Sequence, residues 1–107
     1  MEKSIFIELF GNNPTIKILN HLLIFREFEY SLTDIAKESG VAWSTLNILW
    51  PNLEEKQLVQ HTRNVGKAKM YKLNTNNEIV QKLILFADSL VWKEQTILET
   101  AKINNNQ

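Results

Sequence analysis

Apolar residues recur at helical spacing along most of this chain and alternate over one short stretch. Ser4 to Phe10 is a brief apolar run, a helical turn or an arm. Gly11-Asn12-Asn13-Pro14 breaks it and starts a helix, because Asn caps and Pro suits the first helical position. Ile16, Leu19, Leu22, Leu23 and Arg26 follow helical spacing, widened by Ile18 and Phe25, which predicts a helix to about Phe28. Glu29-Tyr30-Ser31 reads as an extended link. Ser31, with Asp34 three residues on, opens a second helix, and Gly40 suits its left-handed end. A third helix is predicted over Trp43 to Glu55, with Leu46, Leu49, Trp50 and Leu53 inward and Pro51 expected to kink it. Leu58 to Arg63 and Ala68 to Leu73 read as strands joined by Asn64-Val65-Gly66-Lys67, with Tyr71 and Leu73 on the core face. A long helix follows from about Glu78 to Lys102, ~38 Å at ~1.5 Å per residue, with a polar tail.

The 107 residues suffice for one core and not two. At 44% hydrophobic and 22% charged, the chain has a globular composition. There is no Cys, which rules out a disulfide framework, a thiolate metal site and a Cys nucleophile. His21 and His61 fall on different predicted elements without paired carboxylates, so no metal site is expected. No phosphate-cradling glycine loop or catalytic triad motif occurs, so neither a cofactor nor enzymatic activity is expected. No apolar run reaches the ~20 residues of a membrane span. The first residues carry Glu2 and Glu8 instead of a secretory layout, so a cytoplasmic protein is the expectation.

The formal net charge is zero but unevenly placed. Residues 1–55 hold four bases and eight acids, net −4. Residues 56–72 hold five bases (Lys56, Arg63, Lys67, Lys69, Lys72) and no acid, net +5. Such a segment is either a solvated hairpin or a surface that meets phosphate.

The stretch Tyr30-Ser31-Leu32-Thr33-Asp34-Ile35-Ala36-Lys37-Glu38-Ser39-Gly40-Val41, followed by Trp43-Ser44-Thr45-Leu46, resembles winged helix-turn-helix domains. So do Leu53-Glu54-Glu55-Lys56-Gln57-Leu58-Val59 and the run Thr62-Arg63, Gly66-Lys67, Met70-Tyr71-Lys72-Leu73-Asn74. Over about Pro14 to Asn74 the sequence is similar to small MarR/ArsR-like regulators, especially archaeal ones. The resemblance implies a mainly α fold with a small β-hairpin wing (α+β) and a long C-terminal dimerisation helix. The expected division is 1–76 for the winged domain and 77–107 for the dimerisation helix and frayed tail.

The same resemblance implies double-stranded DNA as partner, with the third helix in the major groove. It places Trp43, Ser44, Thr45, Asn47 and Ile48 at the bases and Arg63, Lys67 and Lys69 of the wing on the backbone or minor groove. One departure stands out: Val41 to Leu53 contains no charged residue, so the common Arg–guanine contact cannot come from this helix. Either an A·T-rich target is read by Asn47 and apolar contacts, or Trp43 and Ile48 face another protein. Trp43 itself either lies at the interface or folds back on the core.

The terminal helix carries two apolar seams, Val80-Ile84-Ala87-Val91-Leu98 and Ile79-Leu83-Phe86-Leu90-Ile97, flanked by Trp92. It either folds back over its own domain or pairs with a second copy, and Leu90, Val91, Ile97 and Leu98 are the expected dimer contacts. A homodimer would address a two-fold operator with half-sites about one helical turn apart. The expected function is a homodimeric, sequence-specific DNA-binding regulator. A protein-binding adaptor and a plasmid or viral partition protein that spreads on DNA are the alternatives.

Overall fold

The computed structural model describes residues 4–105, with side chains described over 4–91. Its order is α1 (Ile5–Phe10), α2 (Pro14–Ile24), β1 (Tyr30–Ser31), α3 (Leu32–Ser39), α4 (Trp43–Glu55), β2 (Val59–Val65), β3 (Ala68–Leu73) and α5 (Glu78–Asn105).

Local chemistry explains the helix starts. Ser4 Oγ accepts from the Ile7 N–H, Asn13 Oδ1 from Ile16, and Ser31 Oγ from Asp34, each satisfying a donor with no partner inside its helix. Pro14 stands at the first position of α2. Asn77 serves two elements: its Oδ1 accepts from Ile79 and Val80 of α5, and its Nδ2 donates to the Lys56 and Gln57 carbonyls beyond α4.

Helix α2 ends at Ile24, short of the expected Phe28. The Arg26 guanidinium turns back to the Leu23 carbonyl and onto Asp88 of α5, and the next residues leave the helix. Phe25 and Phe28 are therefore exposed, and His21 joins the core stripe instead. Helix α4 spans the predicted residues and runs through Pro51 as one helix.

The three strands are antiparallel in the order β1-β3-β2. The hairpin differs from expectation in its turn. Strand β2 continues to Val65, which pairs with Ala68, so the loop is only Gly66-Lys67. Gly66 has φ +60° and Lys67 does not share a positive φ, the pattern of a two-residue turn with glycine first.

The core gathers Ile18, Leu22 and Leu23 of α2, Ile35 and Ala36 of α3, Leu46, Trp50 and Leu53 of α4, Tyr71 and Leu73 of β3, and Val80 of α5. The Trp50 and Tyr71 rings meet edge-on at 5.3 Å. The core thus continues across residues 76–77 into α5, where Leu83, Ile84, Ala87 and Leu90 pack on it half-buried. Ile79, Phe86 and Val91 are exposed, so each predicted seam divides between core and solvent.

Candidate nucleic-acid interface

The buried stripe of α4 turns its other face outward. Trp43, Ser44, Asn47 and Ile48 are exposed and Thr45 is half-buried. Trp43 does not fold into the core: it is 51% exposed, and Ile48 is 78% exposed. The N-terminal residue Ala42 offers no side-chain cap. The first N–H groups of α4 thus lack a side-chain acceptor, and the positive end of the helix dipole lies at this uncharged surface. The Asn47 Nδ2 donates to the Trp43 carbonyl at 3.0 Å, which leaves Oδ1 and one amide hydrogen for a ligand.

The hairpin supplies the charge. A concavity of about 310 Å³ separates it from the helical motif, lined by Thr33 at the start of α3, Trp43 at the start of α4, and Lys67, Lys69 and Tyr71 of the hairpin. Two expected wing lysines and one expected helix residue therefore front one surface. Thr33 joins them without a sequence signal, since only the fold brings α3 against the hairpin.

Arg63 has a different setting. A β-bulge between His61 and Arg63 leaves Thr62 unpaired, so His61 opposes Tyr71 while Arg63 opposes Met70. Plain alternation would put Arg63 on the face of His61 and Tyr71; the extra residue moves it to the other. There its Nε donates to Glu29 Oε1 at 2.5 Å, and the Thr62 hydroxyl donates to Glu29 Oε2 at 2.6 Å. The Thr62 hydrogen bond, then that of Arg63, holds the Glu29 carboxyl below the usual carboxylate range. Glu29 lies 34 positions from Arg63 and carries no motif, so no signal in the sequence announced the pair.

No family model and no curated relative matches the chain. Solved structures do. MepR, a transcription regulator of the Staphylococcus aureus multidrug efflux pump MepA, matches 94% of this chain and 77% of its own at 22% identity, with a TM-score of 0.63. A mutant of ZitR from Lactococcus lactis in apo form matches 94% and 73% at 18% identity and 0.56. AntR, an antimony-specific transcriptional repressor, matches 78% and 72% at 19% identity and 0.57.

The chain has the winged helix-turn-helix fold. In its terms α3 and α4 are the helix-turn-helix pair, α4 is the second helix of that pair, and β2 with β3 is the wing. The tight connection is set by Gly40, left-handed at φ +75°, with the Val41 N–H returning to the Ala36 carbonyl at 3.0 Å.

Of the expected contacts, Lys67 and Lys69 stand on the wing beside Trp43, while Arg63 is turned onto Glu29. Leu90 packs half-buried against the chain's own core, and Val91 is 53% exposed. The side chains of Ile97 and Leu98 lie outside the described residues. No group of three or more His, Cys, Asp and Glu side chains gathers among the described residues. No helix among them is long and apolar enough to cross a membrane.

Proposed function

We propose that this protein binds double-stranded DNA sequence-specifically as a homodimeric transcription regulator. One observation carries the reading: Lys67 and Lys69 of the wing and the exposed start of α4 form the walls of a single concavity. The wing supplies sequence-independent attraction to phosphate, and the uncharged helix supplies shape, hydrogen bonds and apolar contact at base edges. With no cation on α4, an A·T-rich target suits it: Asn47 has both a donor and an acceptor for adenine, and Trp43 and Ile48 suit thymine methyls. The likeness to a transcription regulator and a transcriptional repressor supports this reading.

The exposed apolar surface of α1 and α5 suits a second copy of the chain. Leu9 and Phe10 of α1 and Phe86 of α5 are exposed together, with the Phe10 and Phe86 rings 5.8 Å apart. Pairing there would present two reading helices to a two-fold operator.

The test is titration of an A·T-rich duplex across a salt series. Lys67→Ala with Lys69→Ala should weaken binding to every sequence and flatten the slope of log K against log salt by roughly two units. An unchanged slope would remove the wing from the interface. The exposure of Trp43 and Ile48 favours one other reading, an adaptor that docks a protein on α4. That reading predicts no duplex binding even in dilute buffer.

A further inference from the structure

Between Lys56 and Lys72 the chain has no acid, yet the fold brings one onto the wing. Glu29, one residue before β1, reaches the bulge of β2 and takes hydrogen bonds from both Thr62 and Arg63. The Glu29 side chain is 27% exposed and the Arg63 side chain 67% exposed, so the pair lies at the surface and not in the core. The bulge is what makes the meeting occur, because it turns Arg63 from the Tyr71 face of the sheet to the other, and Glu29 reaches it there from beside β1, across the central strand β3. The Thr62 hydroxyl has one proton, given chiefly to Glu29, and its Oγ1 also lies 3.3 Å from the Met70 carbonyl across the hairpin, a weaker alternative acceptor.

We infer that Glu29 masks Arg63, holding one cation of the wing out of phosphate contact and so setting the protein's attraction to DNA below what its basic segment would give. This rests on the DNA-binding reading above. The chemistry is competition between anions for one guanidinium. A phosphate oxygen that approaches Arg63 meets a charge already neutralised and is repelled by the carboxylate beside it. The segment that carries Glu29, residues 25–29, has neither helix nor strand, and the Phe28 N–H to Phe25 carbonyl bond is the backbone bond formed within it. The mask is therefore not built into a rigid element. Lys72 lies near enough to influence the Glu29 carboxylate and shares in the screening.

The test is the same salt series on Glu29→Gln, which keeps an oxygen for Thr62 but removes the charge. Glu27→Gln removes an equal charge from the same exposed segment. Glu29→Gln should bind duplex several-fold tighter and steepen the slope by about one unit. Glu27→Gln should leave the slope in place, and Arg63→Ala combined with Glu29→Gln should lose the gain. Glu29→Asp, which keeps the charge on a shorter arm, should move the slope in the same direction as Gln and stands in if Gln impairs folding by near-ultraviolet circular dichroism. If Glu29→Gln matches Glu27→Gln, masking fails while DNA binding stands. If Glu29→Gln and Arg63→Ala each weaken binding, Glu29 orients Arg63 for DNA and masking is overturned. Binding by the variant alone would establish a complete mask. Binding by neither variant nor wild type would end the DNA reading and the mask with it.

Discussion

His21 shows how far a single side chain departs from its pattern. It is 5% exposed, with the rings of Phe25 and Tyr30 at 5.1 and 5.0 Å and Glu38 Oε2 3.3 Å from Nε2. That approach lacks hydrogen-bond geometry, and Nε2 is left without a partner. Burial lowers its pKa, and the Glu38 charge opposes this only in part. The folded chain therefore prefers the neutral ring, while the unfolded chain takes up a proton near the usual value. The stability this gives is fully present above about pH 6.5 and is lost as the pH falls below it. The melting temperature should drop between pH 7.5 and 5.5, and His21→Leu should shrink that drop; an equally steep fall in the variant would place the sensitivity elsewhere. Arg63 and Asn47 teach the same lesson. Both were named from the sequence as DNA contacts, and each has a partner in the fold that residue type does not foretell.

Among the elements, helix starts were the most legible, and the end of α4 departs from the usual glycine stop. Gln57 follows it at φ +58°, with the Gln57 N–H returning to Glu54 and the Leu58 N–H to Leu53. The Leu58 bond repeats the one Val41 makes to Ala36 beyond Gly40, here built around a residue with a Cβ. The left-handed conformation costs roughly 1–2 kcal/mol for such a residue. The Asn74 and Asn77 side chains both donate to the Gln57 carbonyl at 2.9 Å and hold it there. Gln57→Gly should stabilise the protein by about 0.5–1 kcal/mol after the greater flexibility of unfolded glycine is offset. Urea unfolding would show it as a higher midpoint at unchanged slope. The wing was legible as two strands and a glycine turn. Its bulge was not, because a bulge depends on which residues oppose each other across the hairpin.

For the molecule as a whole, the deciding feature is that α5 is only partly used by its own domain. Val80 is fully buried, yet Leu85 and Val91 stay 67% and 53% exposed, and the molecule extends 59 Å along its longest axis against 28 and 23 Å. With Leu9, Phe10 and Phe86 nearby on α1 and α5, this is apolar surface that a monomer would leave in water. In sedimentation velocity the wild type should run as a dimer and Val91→Glu should shift toward monomer, with weaker binding to a two-fold site. A wild-type monomer, or a dimer indifferent to the substitution, would remove α5 from the proposed interface.

Helix starts, the Gly40 turn, the inward stripe of α4 and the basic run from Lys56 to Lys72 were readable directly, because each depends on residues within one turn or one hairpin of each other. The winged fold followed from their order. The tertiary structure alone decided which seam residues of α5 meet the core, where α2 stops, that Trp43 stands out beside Lys67 and Lys69, and that Glu29 holds Arg63. Those outcomes depend on contacts between residues far apart in the chain, whose geometry is set only once all the elements pack together.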